Sequence, residues 1–231
     1  MLREWFYPPK CCGCKTLIDR ETYLCPRCKK QLVRVQEPIC LCCGKTIREE
    51  GQRFCHDCRK VYHGFVNNRS LYLYNGAARK LMYELKYCHN RDVAEFFGKA
   101  LAAEFGDYIR GVGIDAIVPI PLHRKRKRQR GYNQAELIAN ELSRVCGIPV
   151  YPNLLKRVRV TRAQKELNDA ERKNNVKNAF QLCKNGVKLN QILLVDDIYT
   201  TGATLDAAVR PLLESGAQAV YGVTVCVGRG F

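Results

Sequence analysis

Two acidic residues followed by a stretch of hydroxyl side chains suggest a site for a phosphorylated ligand. Residues 191–204 read Gln-Ile-Leu-Leu-Val-Asp-Asp-Ile-Tyr-Thr-Thr-Gly-Ala-Thr, an apolar strand that runs into two carboxylates, a short loop and the start of a helix. Gly202 permits close backbone approach, and amides and hydroxyls at a helix start form a cradle for a phosphate monoester. Asp196 and Asp197 can take the two hydroxyls of a ribose and help to place Mg²⁺ through water. The predicted site comprises Asp196, Asp197, Thr200, Thr201, Gly202, Ala203 and Thr204.

Cysteines at metal-ligand spacing form a second group of candidate residues. Ten of the 14 cysteines lie between Cys11 and Cys58, and eight of these ten form four Cys-x-x-Cys pairs. Corresponding pairs are 29 and 30 residues apart, so one motif is used twice. Two such pairs in succession can enclose one tetrahedral Zn²⁺. We therefore predict two zinc sites, one formed by Cys11, Cys14, Cys25 and Cys28 and the other by Cys40, Cys43, Cys55 and Cys58.

The order of pairing within this cysteine module stays open. A cross-braced arrangement, which joins the first pair to the third and the second to the fourth, uses the same eight residues. Either arrangement leaves no open coordination position, so both zinc ions are expected to be structural and the module to be a spacer or docking platform. Cys12 and Cys42 are expected to be spectators, and the four histidines show no ligand spacing. We also expect metal removal to unfold this module alone.

The elements that must position these residues follow from hydrophobic periodicity. Alternating or continuous apolar residues predict strands at 70–74, 114–118, 192–195 and 219–227. Helical periodicity predicts helices at 77–87, 92–105, 132–145 and 203–214. Strands that alternate with helices predict an α/β fold with a mostly parallel sheet. The chain is thus divided into a double zinc ribbon, residues 1–64, and an α/β domain, residues 65–231.

A concentration of positive charge lies close to the predicted site in the sequence. The net charge is +17, and residues 123–177 carry 15 basic and 5 acidic side chains. Six of the seven residues in 124–130 are basic. A charge run of this kind is often only a solvated surface, but here it can also steer a phosphate-rich ligand or a nucleic-acid backbone. The candidate contacts are Arg124, Lys125, Arg126, Lys127, Arg128 and Arg130.

The acidic and hydroxyl segment resembles the motif with which type I phosphoribosyltransferases bind phosphoribosyl pyrophosphate (PRPP). Val-Pro-Ile-Pro-Leu-His at 118–123 and Arg-Gly-Tyr-Asn-Gln at 130–134 narrow the resemblance to the ComF family of competence proteins, which also carry a double zinc ribbon. The resemblance implies a type I phosphoribosyltransferase fold, with PRPP and Mg²⁺ as ligands. It also implies a mobile flap at 161–178, and a loop against the pyrophosphate formed by Pro119, Ile120 and Pro121.

The resemblance further implies a role in DNA uptake during natural transformation. Such a protein would act in the cytoplasm, either free or at the inner face of the membrane, on single-stranded DNA and beside an uptake ATPase or other competence proteins. Tyr132, where relatives often carry Phe, and Tyr151 are candidates for stacking on bases. The sequence contains no apolar run long enough to span a membrane.

Two other functions stay open. The first is that of an active phosphoribosyltransferase, which transfers ribose 5-phosphate to an unidentified base, and the second is that of a regulator that senses PRPP. Such a transferase needs no general acid or base, because fixed dipoles and Mg²⁺ act on the departing pyrophosphate. The lack of an obvious catalytic His or Glu therefore does not separate these functions.

Overall fold

A computed structural model describes residues 8–19, 22–47, 51–158, 179–183 and 189–228. The elements within these ranges are, in chain order, α1 (Pro26–Lys30), α2 (His56–Lys60), β1 (Asn68–Leu73), α3 (Gly76–Tyr87), α4 (Asp92–Gly111), β2 (Ala116–Pro119), α5 (Arg124–Arg130), α6 (Gln134–Cys146), β3 (Leu155–Arg157), β4 (Phe180–Leu182), β5 (Gln191–Tyr199), α7 (Ala203–Glu214) and β6 (Ala219–Val227). Strands and helices alternate along most of the second part of the chain.

The main sheet has four parallel strands in the order β1-β6-β5-β2. This arrangement confirms the α/β fold class with a parallel sheet behind a small cysteine-rich module. β3 and β4 form a separate antiparallel pair. The sequence patterns gave the positions of the main-sheet strands to within a few residues, whereas the short β3 and β4 were not predicted.

β5 is longer than the apolar pattern predicted. It was expected to end at Val195, and it runs on to Tyr199 because pairing with β6 continues through Asp196 opposite Thr224 and Ile198 opposite Cys226. On its other side, β5 loses its partner at Val195, which pairs with the last residue of β2. The two aspartates thus belong to a strand that projects beyond its neighbour.

Two hydrophobic cores cover the two faces of the sheet. Successive residues of β5 alternate between them, Leu193 and Val195 in one core and Ile192 and Leu194 in the other. A central parallel strand is therefore apolar on both faces, which explains its unbroken run of apolar residues. The first core includes residues of α3, α4 and α6, and the second includes residues of α7, β3 and β4.

The cysteine ribbons share these cores with the sheet. Cys11 and Cys12 are buried in the core that contains α3 and α4, while Cys40 and Cys43 are buried in the core that contains α7. The second ribbon also hydrogen-bonds to β1, where the Asn68 N–H donates to the carbonyl of Cys42 at 2.7 Å and its side-chain amide donates to that of Cys43 at 3.1 Å. Both ribbons are therefore seated on the α/β unit.

None of the helices in the described ranges combines the length and apolar character that crossing a bilayer requires.

Candidate functional site

A cleft of about 640 Å³ opens at the carboxyl ends of the four parallel strands. Open parallel sheets place their ligand sites at this edge. Residues that follow each of the four strands line the cleft, as do parts of α3 and α5. The lining residues are Tyr74, Lys86, Tyr87, His89, Ile120, Pro121, Leu122, Arg126, Gln129, Arg130, Gln134, Arg157, Asp196, Asp197, Ile198, Thr200, Thr204 and Gly228.

Asp197 is ionised and held by two partners. Its Oδ2 atom lies 2.6 Å from Nζ of Lys86 and accepts a hydrogen bond of 2.8 Å from Nε2 of Gln134. Burial by itself would raise the pKa of Asp197, but the charge of Lys86 and these hydrogen bonds outweigh it and hold that pKa below its ordinary value. The carboxylate is therefore fixed in position and in charge.

The pKa of Asp196 is shifted in the opposite direction to that of Asp197. Burial first, and then the charge of Asp197, raise the pKa of Asp196 to about 8. Its Oδ1 accepts a hydrogen bond of 2.8 Å from the N–H of Asp197, which lowers the pKa but does not offset burial. Burial also lowers the pKa of Arg157, which lines the same cleft. A cation that entered the cleft would favour the ionised form of Asp196.

The loop before α7 places its glycine at the start of the helix. Gly202 caps the helix with φ +83°, and a Cβ atom there would lie 2.5 Å from Oη of Tyr199 and 2.7 Å from Cε1 of His63. Glycine is thus required by both conformation and space. Thr200 and Thr204 line the cleft, whereas Thr201, Gly202 and Ala203 are not among its lining residues.

The loop after β2 is held by Asn133 of the Arg-Gly-Tyr-Asn-Gln segment at 130–134. Ile120 and Pro121 line the cleft, and Pro119 is buried as the last residue of the strand. The side-chain amide of Asn133 donates to the carbonyl of Ile120 at 3.0 Å, and its oxygen caps α6. One asparagine therefore joins the helix start to this loop.

Tyr132 does not present its ring as expected. Its side chain is 6% exposed, its hydroxyl donates to the carbonyl of Leu85, and the guanidinium of Arg91 lies 5.4 Å from its ring centroid. These contacts cover the ring and anchor α3. The expectation that Tyr132 stacks on DNA bases is therefore wrong, although the aromatic side chain has a clear structural role.

The basic run forms a short helix, α5, that borders the cleft. Residues 124–129 are exposed, and Arg126 and Arg130 line the cleft while the other four basic residues do not. Arg130 donates a hydrogen bond to the side-chain oxygen of Gln134, and its guanidinium carbon lies 5.5 Å from the ring centroid of Tyr87. The predicted contacts thus divide into a cleft set and an outer set.

The eight zinc-ligand candidates form two separate clusters. Within each cluster the four sulfur atoms lie within 4.8 Å of one another, and one pair in each is 3.6 Å apart. Tetrahedral zinc with bonds of about 2.3 Å places sulfur atoms about 3.8 Å apart, so the clusters fit this ion. The sequential pairing is confirmed, and the cross-braced alternative is wrong. One cluster contains Cys11, Cys14, Cys25 and Cys28, and the other contains Cys40, Cys43, Cys55 and Cys58.

Cys42 and His63 lie beside the second cluster, which the sequence did not indicate. Their ligand atoms and the sulfur of Cys58 lie within 4.8 Å of one another. His63 is buried, and its Nδ1 lies 2.8 Å from Oδ2 of Asp206 in the first turn of α7. The second ribbon and the helix that follows the hydroxyl loop are therefore in direct contact.

Several cleft residues were not predicted as site residues. Lys86 lies on a predicted helix, but only the fold brings that helix to β5, and nothing in the local sequence marks it. Arg157 lies on the unpredicted β3. Gln134 was quoted as part of the family motif but assigned no role, and the motif was the signal that pointed to it. The proposed flap at 161–178 lies outside the described residues.

Comparison with known proteins gives consistent results over both parts of the chain. The model of the double zinc ribbon domain matches residues 2–59. Competence protein F of Haemophilus influenzae is 31% identical over 93% of this chain and 95% of the relative. Competence protein ComFC of Bacillus subtilis is 28% identical over 88% and 83%, and DNA utilization protein YhgH of Salmonella typhimurium is 28% identical over 94% and 89%.

Solved structures of phosphoribosyltransferases are also similar to part of the chain. A crystal structure of adenine phosphoribosyltransferase covers 61% of this chain and 72% of its own, with 16% sequence identity and a TM-score of 0.40.

Proposed function

The chain belongs to the ComF family of competence proteins, and on this basis we propose that it acts in DNA uptake during natural transformation, as a cytoplasmic protein whose cleft binds PRPP with Mg²⁺. The observation that supports PRPP as the ligand is the arrangement of side chains at the end of β5. Two carboxyl groups whose pKa values are shifted in opposite directions lie beside a hydroxyl loop, and the start of α7 follows. The same edge of the sheet also carries basic residues.

The chemistry of the cleft matches that of PRPP. A ribose between two phosphorylated ends needs acceptors for its hydroxyls and donors for its phosphates, which Asp196 and Asp197 on one side and the Thr200 to Thr204 loop on the other provide. Lys86, Arg126 and Arg130 supply positive charge along the same cleft. We assign the 5-phosphate to the hydroxyl loop and the pyrophosphate to the loop that contains Ile120 and Pro121.

Mg²⁺ fits the donor set of this cleft. It prefers carboxylate and water oxygens, and Asp196 offers a buried carboxyl whose pKa of about 8 a cation would lower. Asp196 and Asp197 would hold the ion through water. When bound, Mg²⁺ would neutralise the charge of the pyrophosphate.

Calorimetric titration with PRPP and Mg²⁺ tests this assignment. The double substitution Asp196→Asn and Asp197→Asn should abolish binding, because the ribose hydroxyls lose their carboxyl acceptors and Mg²⁺ loses its anchor. Asp107→Asn is the matched control, since the side chain of Asp107 is fully exposed on α4 and is not among the residues that line the cleft. Unchanged affinity in a folded double variant would refute the site.

Single-stranded DNA is the second proposed ligand, and the exposed basic residues of α5 support it. Phosphate contacts by such residues are independent of sequence and sensitive to salt. Titration of oligonucleotides at several salt concentrations tests the contact, and sequence-indifferent binding with a negative salt slope is expected.

A screen of bases for release of pyrophosphate would reveal transferase activity, which would replace the competence role by the enzymatic alternative.

A further inference from the structure

Two exposed tyrosines stand together on the solvent side of α3. Tyr83 and Tyr87 are 58% and 62% exposed, and their ring centroids are 5.1 Å apart. They are one helical turn apart, and Arg79, exposed as well, lies one turn before them on the same face. The opposite side of α3 is buried in the core. The aromatic pair thus forms a small ridge on a firmly anchored helix.

The ridge is continuous with the basic border of the cleft. Tyr87 lines the cleft, and the guanidinium carbon of Arg130, at the end of α5, lies 5.5 Å from its ring centroid. Lys86, beside it in sequence, faces the same cleft. Aromatic faces next to cations are the composition with which proteins hold single strands, because bases stack on the rings while the cations follow the phosphates.

We propose that Tyr83 and Tyr87 form a stacking platform for the bases of single-stranded DNA, with α5 holding the phosphates beside it. The inference rests on the proposed DNA contact and names the residues that meet the bases. Charge complementarity favours a polyanion as the occupant, since exposed Arg79 lies one turn before Tyr83, the Arg130 guanidinium lies over the Tyr87 ring, and α5 carries further exposed basic residues. Buried Tyr132 cannot take this role.

Fluorescence anisotropy with a labelled oligonucleotide and an abasic strand of equal length tests the platform. The double variant Tyr83→Ala, Tyr87→Ala should bind the normal strand at least about 30-fold more weakly, since each stacked base contributes about 1 kcal/mol or more and two rings are removed. Its salt slope should not change, because no charge is removed. Affinity for the abasic strand should equal that of the unmodified protein.

Two controls separate stacking from other effects. Tyr83→Phe with Tyr87→Phe should restore binding, because the ring faces remain. Tyr62→Ala removes a tyrosine that is 95% exposed and does not line the cleft, and it should bind like the unmodified protein. Thermal melting should show that the double alanine variant is folded, as expected from side chains that lie outside the core.

The outcomes distinguish the platform from the proposed function. Suppose that the unmodified protein binds DNA with a negative salt slope. If the double alanine variant then binds the normal strand equally well, or if its affinity falls as much for the abasic strand as for the normal strand, the platform is wrong and the DNA contact stands. If the unmodified protein binds neither strand, both are wrong. If sedimentation shows that the alanine changes convert a dimer into monomers, the ridge is an interface between copies and the inference is overturned.

Discussion

Two adjacent carboxyls in the cleft have pKa values shifted in opposite directions, and the difference comes from what each one contacts. Asp197 has Lys86 at 2.6 Å and the amide of Gln134, so it is ionised. The pKa of Asp196 is raised to about 8 by burial and by the charge of Asp197. The unfolded chain releases this proton near pH 3.8, the ordinary value, while the folded chain retains it. Asp196 therefore lowers the free energy of unfolding progressively between about pH 4 and pH 8.

The Asp196→Asn variant should be more stable than the unmodified protein, by a margin that grows from pH 4 to pH 8 and is constant above. Asp197→Asn should instead reduce stability, because a carboxyl with a lowered pKa stabilises the folded state at pH values above its ordinary pKa. It would also leave Lys86 without its carboxylate, so the variant should be less stable at pH 7, with the difference lost in acid. Melting temperatures across this pH range measure both effects. Parallel curves for the two variants would contradict the assignment.

At the scale of elements, α5 converts one basic run into two groups with different neighbours. Arg126 and Arg130 line the cleft, whereas Arg124, Lys125, Lys127 and Arg128 do not. Changing Arg126 and Arg130 to Gln should weaken PRPP binding. Changing Arg124 and Arg128 to Gln, a matched removal of two charges, should leave PRPP binding intact and reduce the salt slope for single-stranded DNA by about 1.4, at roughly 0.7 per lost contact. Calorimetry and anisotropy measure the two effects, and equal loss of PRPP affinity in both variants would contradict this division.

One pair of equivalent positions in the two ribbons carries different residues for a structural reason. Lys15 and Gly44 both follow the second cysteine of a pair and both have positive φ, 67° and 72°. A Cβ atom on Gly44 would lie 2.5 Å from the carbonyl oxygen of Asn68 in β1, so only the second ribbon needs glycine there. Gly44→Ala should reduce the free energy of unfolding by about 1 to 3 kcal/mol. Lys15→Ala, which loses only the ion pair with Glu84, should cost less than about 1 kcal/mol in denaturant titrations.

For the whole molecule, the shared cores argue against a ribbon module that unfolds alone. Cysteines of the first cluster lie in one core of the sheet and cysteines of the second cluster in the other. Metal analysis should find two zinc ions per chain, and Cys11→Ser and Cys40→Ser should each disturb a different site. Chelation should lower the melting temperature of the entire chain and remove PRPP binding with it. A PRPP affinity unchanged by chelation would show that the α/β unit is independent of the ribbons.

The sequence by itself determined the features that depend on short-range spacing. Cysteine pairs three residues apart define a ligand knuckle, an apolar run defines a buried strand, and a glycine before a helix defines a turn, so the eight ligands, the main strands and the hydroxyl loop were all predicted. Family motifs added the loop after β2. These features need few residues, and those residues are neighbours in the chain.

Only the tertiary structure decided which distant residues share the cleft and what state each one adopts. Lys86 and Asp197 are far apart in sequence, and their contact follows from how α3 packs against the end of β5. The same packing buries Tyr132 and leaves Tyr83 and Tyr87 exposed, although all three are tyrosines in helical or near-helical segments. Sequence patterns show which residues are polar or aromatic. Burial, pairing and hence pKa and accessibility are set by neighbours that long-range packing supplies.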